Sequence, residues 1–283
     1  MGQKEKKDQF IIAYITDFEN TDAIIMNSIC FAKMLNKGLI LLHISDKQYT
    51  DLSVEQSEIK LQELNSKITE IPFHSYCAIE GKSNEIINKI PDLLSGVLIV
   101  TSSNTDIVDR KQKQANSPKT LLNNLYESRA AYFIVPQSQP QTLEFEKIIL
   151  TINNMRESKE KVLWGSYFGR FAKSEIIVFY HTYRDEFHRH QLHYNIKFLM
   201  KMFDNFNLNY KLHLSPTQKP FVDHQAIDYA IENNASLIIC QTTKNKDWTN
   251  LIFKTKELET LEKNKNIPIL FVNPRNDLLI LCD

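Results

Sequence analysis

Short apolar runs alternate with longer amphipathic segments along this chain of 283 residues. The first run, residues 10–17, is rich in isoleucine and aromatic residues and ends in a carboxylate, which is typical of a strand buried on both faces. Residues 19–36 follow with helical spacing. The predicted apolar face of this helix consists of Ala23, Met26, Ile29, Cys30 and Met34. Gly38 ends the helix and a second apolar run begins, which predicts a strand, a helix and a parallel strand.

The same alternation continues through the chain. Predicted strands lie near 10–16, 38–45, 72–79, 96–101 and 131–135, and again near 147–152, 175–181, 209–214, 236–241 and 268–272. Predicted helices lie near 19–36, 51–68, 83–92 and 118–128, and again near 156–172, 185–206, 221–233 and 248–264. Strands that alternate with helices predict parallel sheets covered by helices on both faces, with right-handed crossovers.

The second half of the chain repeats the first at a nearly constant offset. Ile11 corresponds to Ile148 and Leu41 to Val178, both at the same offset. The runs that begin at 96 and 236 keep nearly that offset. An offset kept across a whole half indicates an internal duplication. The polar, proline-containing segment 136–142 separates the halves, so we expect two domains, 1–142 and 143–283.

The charge balance excludes a global attraction to polyanions. Lysine plus arginine and aspartate plus glutamate each number 34, so the formal net charge is zero. We therefore expect neither nucleic acid nor a membrane as a partner, and the basic stretch 110–113 is predicted to be a solvated loop. No apolar stretch is long enough to span a bilayer, and residues 1–8 are charged without a secretory apolar region. A bacterial, cytoplasmic protein is the expectation.

Motifs for catalysis and metal binding are missing from the sequence. There is no Gly-x-Ser-x-Gly elbow, no His-Glu-x-x-His and no P-loop. The cysteines, which form no Cys-x-x-Cys pair and are expected to be reduced, are Cys30, Cys77, Cys240 and Cys282. On the helix predicted at 185–206, His190 and His193 share a face, but His188 lies nearly opposite, so no metal site is predicted. His181, at the end of a strand, is a better candidate for a ligand contact.

Several segments resemble the universal stress protein family. The first strand ends in Thr-Asp-Phe (16–18), which is similar to the family signature at this place. Residues 31–44 resemble the end of the first helix and the second strand of the family, down to Leu-Leu-His. Residues 130–135 and 266–272 resemble its closing strand. The resemblance covers nearly the whole chain, twice. It implies an α/β, Rossmann-like fold similar to the adenine nucleotide alpha hydrolases, with two tandem open parallel five-stranded sheets of order 3-2-1-4-5 and helices on both faces.

The resemblance also implies a ligand site at the switch point between strands 1 and 4 of each half. The candidate cofactor-binding residues that it indicates in the first half are Asp17, Ile44, Thr101 and Ser102. Many family members bind ATP there through a glycine-rich loop after strand 4. This chain has six glycines, none of them between Gly96 and Gly165 or after Gly169, so both loops lack glycine and no cofactor is expected. Asp17 has a second interpretation, as the cap of a helix that begins near residue 19.

Two functions remain open at this point. In the first, the chain is a tandem universal stress protein that acts without catalysis in the stress response, by binding a small ligand, a partner or its own kind. Its halves would then form a pseudo-dimer within the chain, and whole chains could form a homodimer. In the second, it is an adenine-nucleotide-binding protein or a nucleotide hydrolase that binds ATP or AMP in the first half. The missing glycine loops favour the first. The apolar tail 278–282 is predicted to add to a sheet edge or to cover an apolar groove.

Overall fold

The structure is a computed structural model. The residues that it describes are 9–19, 21–103, 110–125, 128–136, 144–216, 222–242, 256–263 and 266–273. The chain divides into two units, Met1–Thr142 and Leu143–Asp283. The predictions for the linker, for most of the two loops after the fourth strand of each half and for the tail 278–282 fall outside the described residues.

Five parallel strands form the sheet of the first unit, in the order β3-β2-β1-β4-β5. The strands are β1 (Phe10–Tyr14), β2 (Gly38–Ser45), β3 (His74–Glu80), β4 (Gly96–Ser103) and β5 (Ala131–Pro136). The described helices are α1 (Asp22–Leu35), α2 (Val54–Ser66), α3 (Ser83–Ile86), α4 (Ile90–Leu93), α5 (Arg110–Ala115) and α6 (Pro118–Leu125). The central strand β1 is fully buried at Ile11, Ile12 and Ala13, as expected when helices cover both faces of a parallel sheet.

The second unit has a parallel sheet of the same kind, in the order β8-β7-β6-β9-β10. Its strands are β6 (Lys147–Ile152), β7 (Glu175–Tyr180), β8 (Tyr210–Leu214), β9 (Leu237–Gln241) and β10 (Ile269–Val272). The described helices are α7 (Ser158–Tyr167), α8 (Glu186–Asn205), α9 (Val222–Glu232) and α10 (Lys256–Lys263). A π-helical turn, Phe168–Ala172, continues α7.

The predicted strand order 3-2-1-4-5 is confirmed in each unit. The β1–β2 and β6–β7 ladders have the same register, because Ile11 pairs with Leu39 and its counterpart Ile148 pairs with Ile176. The next ladder departs from that offset, because Ile11 pairs with Leu98 whereas Ile148 pairs with Leu237. The β1–β4 ladder also contains a bulge directly before Ile11.

The buried face of α1 is not the predicted one. Its buried residues are Ile24, Ile25, Asn27, Ser28, Phe31 and Ala32, whereas Met26 is 36% exposed. Asn27 and Ser28 tolerate burial because their side chains donate to the carbonyl oxygens of Ala23 and Ile24, each at 2.7 Å. Because these two polar residues bond to their own helix, they can lie on the buried face of α1. That face is therefore not the one predicted from the apolar residues alone.

Two other helix predictions were wrong in detail. The helix predicted at 83–92 is broken into α3 and α4, because Pro91 lacks an N–H and fits only the start of a helix. The stretch 110–113, predicted as loop, lies in α5. Arginine, lysine, glutamine and alanine are strong helix formers, so local propensity explains this helix. Among the helices of the described ranges, none is long and apolar enough to cross a membrane.

In this glycine-poor chain, asparagine takes a place that glycine often holds at helix ends. Asn36 is the C-cap of α1 with φ of 52°, and its N–H bonds to the carbonyl oxygens of Ala32 and Lys33. Asn207 and Asn234 also have positive φ. Asparagine tolerates the left-handed region better than most residues with a Cβ.

The effect of replacing Asn36 on stability should therefore depend on whether the new residue tolerates a positive φ. We expect Asn36→Gly to keep the free energy of unfolding or raise it slightly, and Asn36→Val to lower it by about 1–2 kcal/mol. The matched control is Lys67→Val, because Lys67 is the C-cap of α2 with φ of −85°. Urea denaturation measures all three variants. An equal loss for Asn36→Val and Lys67→Val would contradict the left-handed cap as the cause.

Candidate functional site

The carboxyl end of β1 places Asp17 at the switch point of the first unit, where β1 lies between β2 and β4. Asp17 is 4% exposed, and its Oδ1 accepts a hydrogen bond from the backbone N–H of Glu19 at 2.9 Å. Helix α1 begins only at Asp22, and its N-cap residue Thr21 makes no side-chain capping bond. Asp17 therefore closes a tight turn before the helix, and its interpretation as a helix cap is wrong.

The other three predicted site residues lie near the carboxyl ends of β2 and β4. The carbonyl oxygen of Ile44 accepts a hydrogen bond from the N–H of Asp46 at 2.9 Å. Thr101 is fully buried, and its hydroxyl has no partner among the described residues. Ser102 follows it and is 8% exposed. The sheet thus brings Asp17, Ile44, Thr101 and Ser102 to one edge, on three adjacent strands.

Asn116 joins the two strands of this switch point. It is fully buried and lies between α5 and α6. The hydroxyl of Thr16, just beyond β1, donates to Asn116 Oδ1. The hydroxyl of Ser103, at the end of β4, donates to the carbonyl oxygen of Asn116 at 3.4 Å. Sequence analysis missed this residue, because an asparagine in a polar stretch carries no motif.

Little space is left beside Asn116. A cavity of about 10 Å³ lies at this edge, which is roughly the room that one water molecule needs. Its lining residues are Tyr14, Thr16, His43, Ile44, Tyr49, Thr50, Ser83, Ala115 and Asn124. The described part of the first-unit switch point is therefore filled by the protein's own side chains.

The polar groups around this cavity mostly bond to one another. Asp46 accepts the backbone N–H of Ser83 at 2.7 Å, and Tyr14 makes a hydrogen bond with the Ser83 side chain. Burial raises the pKa of Tyr14 to about 12. His43 donates from Nδ1 to the carbonyl oxygen of Ile15 at 2.8 Å, and burial lowers the pKa of its imidazole. Neutral hydroxyl and imidazole groups suit water or an uncharged ligand better than a phosphate.

The registers of the two sheets identify the equivalent positions in the second unit. The residues that correspond there to Asp17, Ile44, Thr101 and Ser102 are Asn154, His181, Cys240 and Gln241. A carboxylate and a hydroxyl have thus become an amide and a thiol, while an aliphatic side chain has become an imidazole. The two switch points share geometry but differ in chemistry.

A buried lysine lies at the second switch point. Lys161, in the first half of α7, is 1% exposed, and its Nζ donates to the hydroxyl of Thr151 in β6 at 3.2 Å. Thr151 donates in turn to the carbonyl oxygen of Ile239 in β9 at 3.1 Å. Lys161 and Thr151 therefore link α7 to both central strands, in the second-unit counterpart of the crevice that Asn116 occupies in the first.

Asp223 sets the electrostatics of this cluster. Its carboxylate interacts electrostatically with Lys161 and is hydrogen-bonded to the Cys240 thiol. Burial lowers the pKa of Lys161, and Asp223 partly offsets that effect. Burial also raises the pKa of Cys240 well above its ordinary value and lowers the pKa of His181. One oxygen of Asp223 and Nδ1 of His181 are buried without a hydrogen-bond partner among the described residues.

The histidines of α8 lie on the surface, and His188 meets this cluster through the ring of Tyr183, which lies between it and His181. His188 Nδ1 is 3.0 Å from the carboxylate of Asp185, and His190 Nε2 is 3.6 Å from that of Glu186. Across the described ranges, no three histidine, cysteine, aspartate or glutamate side chains come together in a way that could hold a metal ion.

Comparison with known proteins identifies the fold. No family model and no curated protein matches the sequence. Among solved structures, a universal stress protein from Archaeoglobus fulgidus has a TM-score of 0.71 at 12% identity, over 95% of this chain and 97% of its own. A functionally unknown protein from Pseudomonas aeruginosa has a TM-score of 0.64 at 13% identity, over 97% of this chain and 95% of its own. The chain has the universal stress protein fold.

Within this fold, the sequence indicated the first switch point and, of the second cluster, only His181. Lys161 lies seven residues before Phe168, so both belong to one face of the helix, and Phe168 is fully buried. A lysine on a buried face was the signal available in the sequence. Asp223 and Cys240 gave no comparable signal, because only the crossover between β8 and β9 brings them together.

The buried Lys161 should contribute to the pH dependence of the free energy of unfolding. The pKa of Lys161 is lower in the folded chain than the 10.5 of an ordinary lysine. Between these two values the unfolded chain binds more protons, so this group makes the free energy of unfolding rise with pH. We expect the free energy of unfolding of the wild type minus that of Lys161→Met to rise with pH, as measured by urea denaturation at several alkaline pH values.

The control for this experiment is Lys159→Met, two residues earlier on the same helix. Lys159 is not fully buried, so its replacement removes one lysine from the same helix without removing a buried one. A flat difference curve for Lys161→Met would show that Lys161 keeps an ordinary pKa in the folded chain.

Proposed function

We propose that the chain is a tandem universal stress protein that acts by binding and not by catalysis. Its two domains are residues 1–142 and 143–283, and the stress response in the cytoplasm is its setting. It takes a small ligand, a protein partner or its own kind, with ATP turnover lost. The observation that carries this proposal is Asn116, which joins the ends of β1 and β4 at the switch point of the first unit.

Asn116 supports this function in two ways, because its side chain occupies space in the crevice and because a ligand there would break its hydrogen bonds. A nucleotide that enters the crevice between β1 and β4 must displace a fully buried side chain and break its bond with Thr16. A buried donor or acceptor that loses its partner costs about 1–3 kcal/mol. The cavity of about 10 Å³ that the described residues line here is far smaller than the several hundred Å³ of ordinary ligand pockets. The lack of glycine after β4 points the same way, because it removes the close backbone approach to phosphates.

An adenine-nucleotide-binding or nucleotide-hydrolysing function is the alternative. It is favoured by Asp17 and by the buried, unpartnered hydroxyl of Thr101, which lie on adjacent strands at the switch point. The fold alone does not decide between the two, since one fold supports many functions. Asn116 favours the binding module, which would self-associate either between its domains as a pseudo-dimer or between whole chains.

Nucleotide titration tests the proposed function. We expect the melting temperature of the wild type to stay unchanged with ATP, ADP, AMP or cyclic nucleotides at about 1 mM, and calorimetry to show no micromolar binding of ATP with magnesium. A ligand at about 100 times its Kd would stabilise the native state by about 2.7 kcal/mol, so binding would be visible.

Paired variants show where any nucleotide binds. Asp17→Ala and Asn154→Ala replace equivalent residues of the two units. Micromolar binding of ATP would refute the proposal that this binding module no longer binds ATP. If Asp17→Ala then weakens that binding more than Asn154→Ala does, the first-unit nucleotide site is supported in its place.

A further inference from the structure

The packed helices α7 and α8 expose an aromatic seam on the second unit. Lys159 Nζ lies 4.4 Å from the ring centre of Tyr194 and 5.2 Å from that of Phe198. The guanidinium of Arg170, in the π-helical turn, lies 4.4 Å from the ring of Phe206. Lys159 and Arg170 are about 11 residues apart, and the aromatic residues that they contact are about 10 residues apart. The two helices therefore run in the same direction, over roughly 16 Å.

This seam is apolar beyond what folding requires. Tyr194 is 57% exposed and Phe206 is 45% exposed. Nearby, Phe171 is 50% and Phe187 is 66% exposed. Isolated apolar residues at a surface are ordinary, but several exposed aromatic residues along two packed helices are typical of an interaction surface. Tyrosine and phenylalanine are also enriched in the contact regions of protein interfaces.

The seam is basic as well as aromatic. Helix α8 carries Arg189, Lys197 and Lys201 against Glu186 and Asp204, so it has a small excess of positive charge, and three histidines lie in its first half. Lys197 and Lys201 lie three and seven residues after Tyr194, which places them on the same helical face. The partner of this seam must therefore offer negative charge together with some apolar surface.

The equivalent helix of the first unit carries such a surface. Helix α2 follows β2 as α8 follows β7, so the duplication relates them. Its outer face is formed by Glu55, Glu58, Ile59 and Gln62, which are all exposed, and Ile59 is 67% exposed. The lysine of this helix, Lys60, places its Nζ 5.2 Å from the ring centre of Phe18. The α2 face is thus acidic around an apolar centre.

We propose that the α7–α8 seam of one chain docks onto the α2 face of a second copy. Both faces are exposed in the folded chain, so both are open to a partner. An anionic lipid or a nucleic acid would fit the basic seam but would leave the exposed Ile59 and the acidic α2 face unexplained. A second copy accounts for both, through the opposite charge that two duplicated helices have acquired.

Such an interface is head-to-tail, because the two docking surfaces differ. After pairing, the dimer keeps one free seam, on one chain, and one free α2 face, on the other, so mass should keep rising with concentration beyond a dimer. Helix α2 is about 20 Å long and offers roughly 200 Å² of footprint, well below the about 800 Å² per partner of a stable interface. The association should therefore be weak and sensitive to salt.

Two surface-blocked chains provide the decisive test. One carries Glu58→Lys with Ile59→Ser on the α2 face, and the other carries Tyr194→Ser with Lys197→Glu on the seam. Sedimentation velocity from about 10 μM to about 1 mM should show the wild type associating at low salt. Each blocked chain alone should stay monomeric, with association weakened by about tenfold or more. An equimolar mixture should form a 1:1 dimer and nothing larger, because only one intact seam and one intact α2 face remain.

The control chain is Leu93→Ser, which removes a similarly exposed apolar side chain from α4, a helix that belongs to neither face. It should associate as the wild type does, and circular dichroism should show that all variants keep their fold. A monomeric wild type at every concentration overturns the proposal, as does self-association of either blocked chain alone. Sedimentation of the wild type with anionic vesicles that is lost in Lys197→Glu would assign the seam to a lipid surface instead. Mass is the readout here, so failure of this proposal is distinguishable from the result of the nucleotide titrations.

Discussion

Burial of the central strands on both faces is the constraint on which each unit depends. Ile11 and Ile12 in β1, and Ile148 and Ile149 in β6, have no exposed surface, because helices cover both sides of the sheet. Such strands have no face on which a polar side chain can reach water. Polar chemistry is therefore confined to the ends of the strands. That confinement explains why Asp17 in one unit and the Lys161 cluster in the other both lie at the carboxyl edge of a sheet.

The duplicated edges show how one fold accommodates different chemistry. In the first unit the crevice is closed by a neutral amide, Asn116, whose hydrogen bonds join two strands. In the second it is occupied by the ammonium-bearing side chain of Lys161, with Asp223 as the nearby opposite charge. A buried lysine carries a large desolvation cost and is tolerated only with a hydrogen-bond partner and a counter-charge, here Thr151 and Asp223. Both arrangements fill the place where related folds can bind ligands, and they do so with unrelated groups.

Divergence at the surface follows a similar logic with fewer constraints. The outer faces of α2 and α8 are not packed against the sheet, so substitutions there have little effect on the core. One face became acidic around Ile59, and the other became basic around Tyr194.

The sequence by itself determined the periodic part of this protein. Alternating strands and helices and the duplication follow from apolar spacing, whereas the order 3-2-1-4-5 was implied by the resemblance to universal stress proteins. It also indicated the switch-point edge, because Asp17 follows a buried strand directly. Tertiary structure decided the rest. The buried face of α1 was set by its packing against the sheet, where Asn27 and Ser28 lie buried with bonds to their own helix. Asn116, Lys161 and Asp223 meet their partners only across crossovers, and no local pattern records a contact between residues that are distant along the chain.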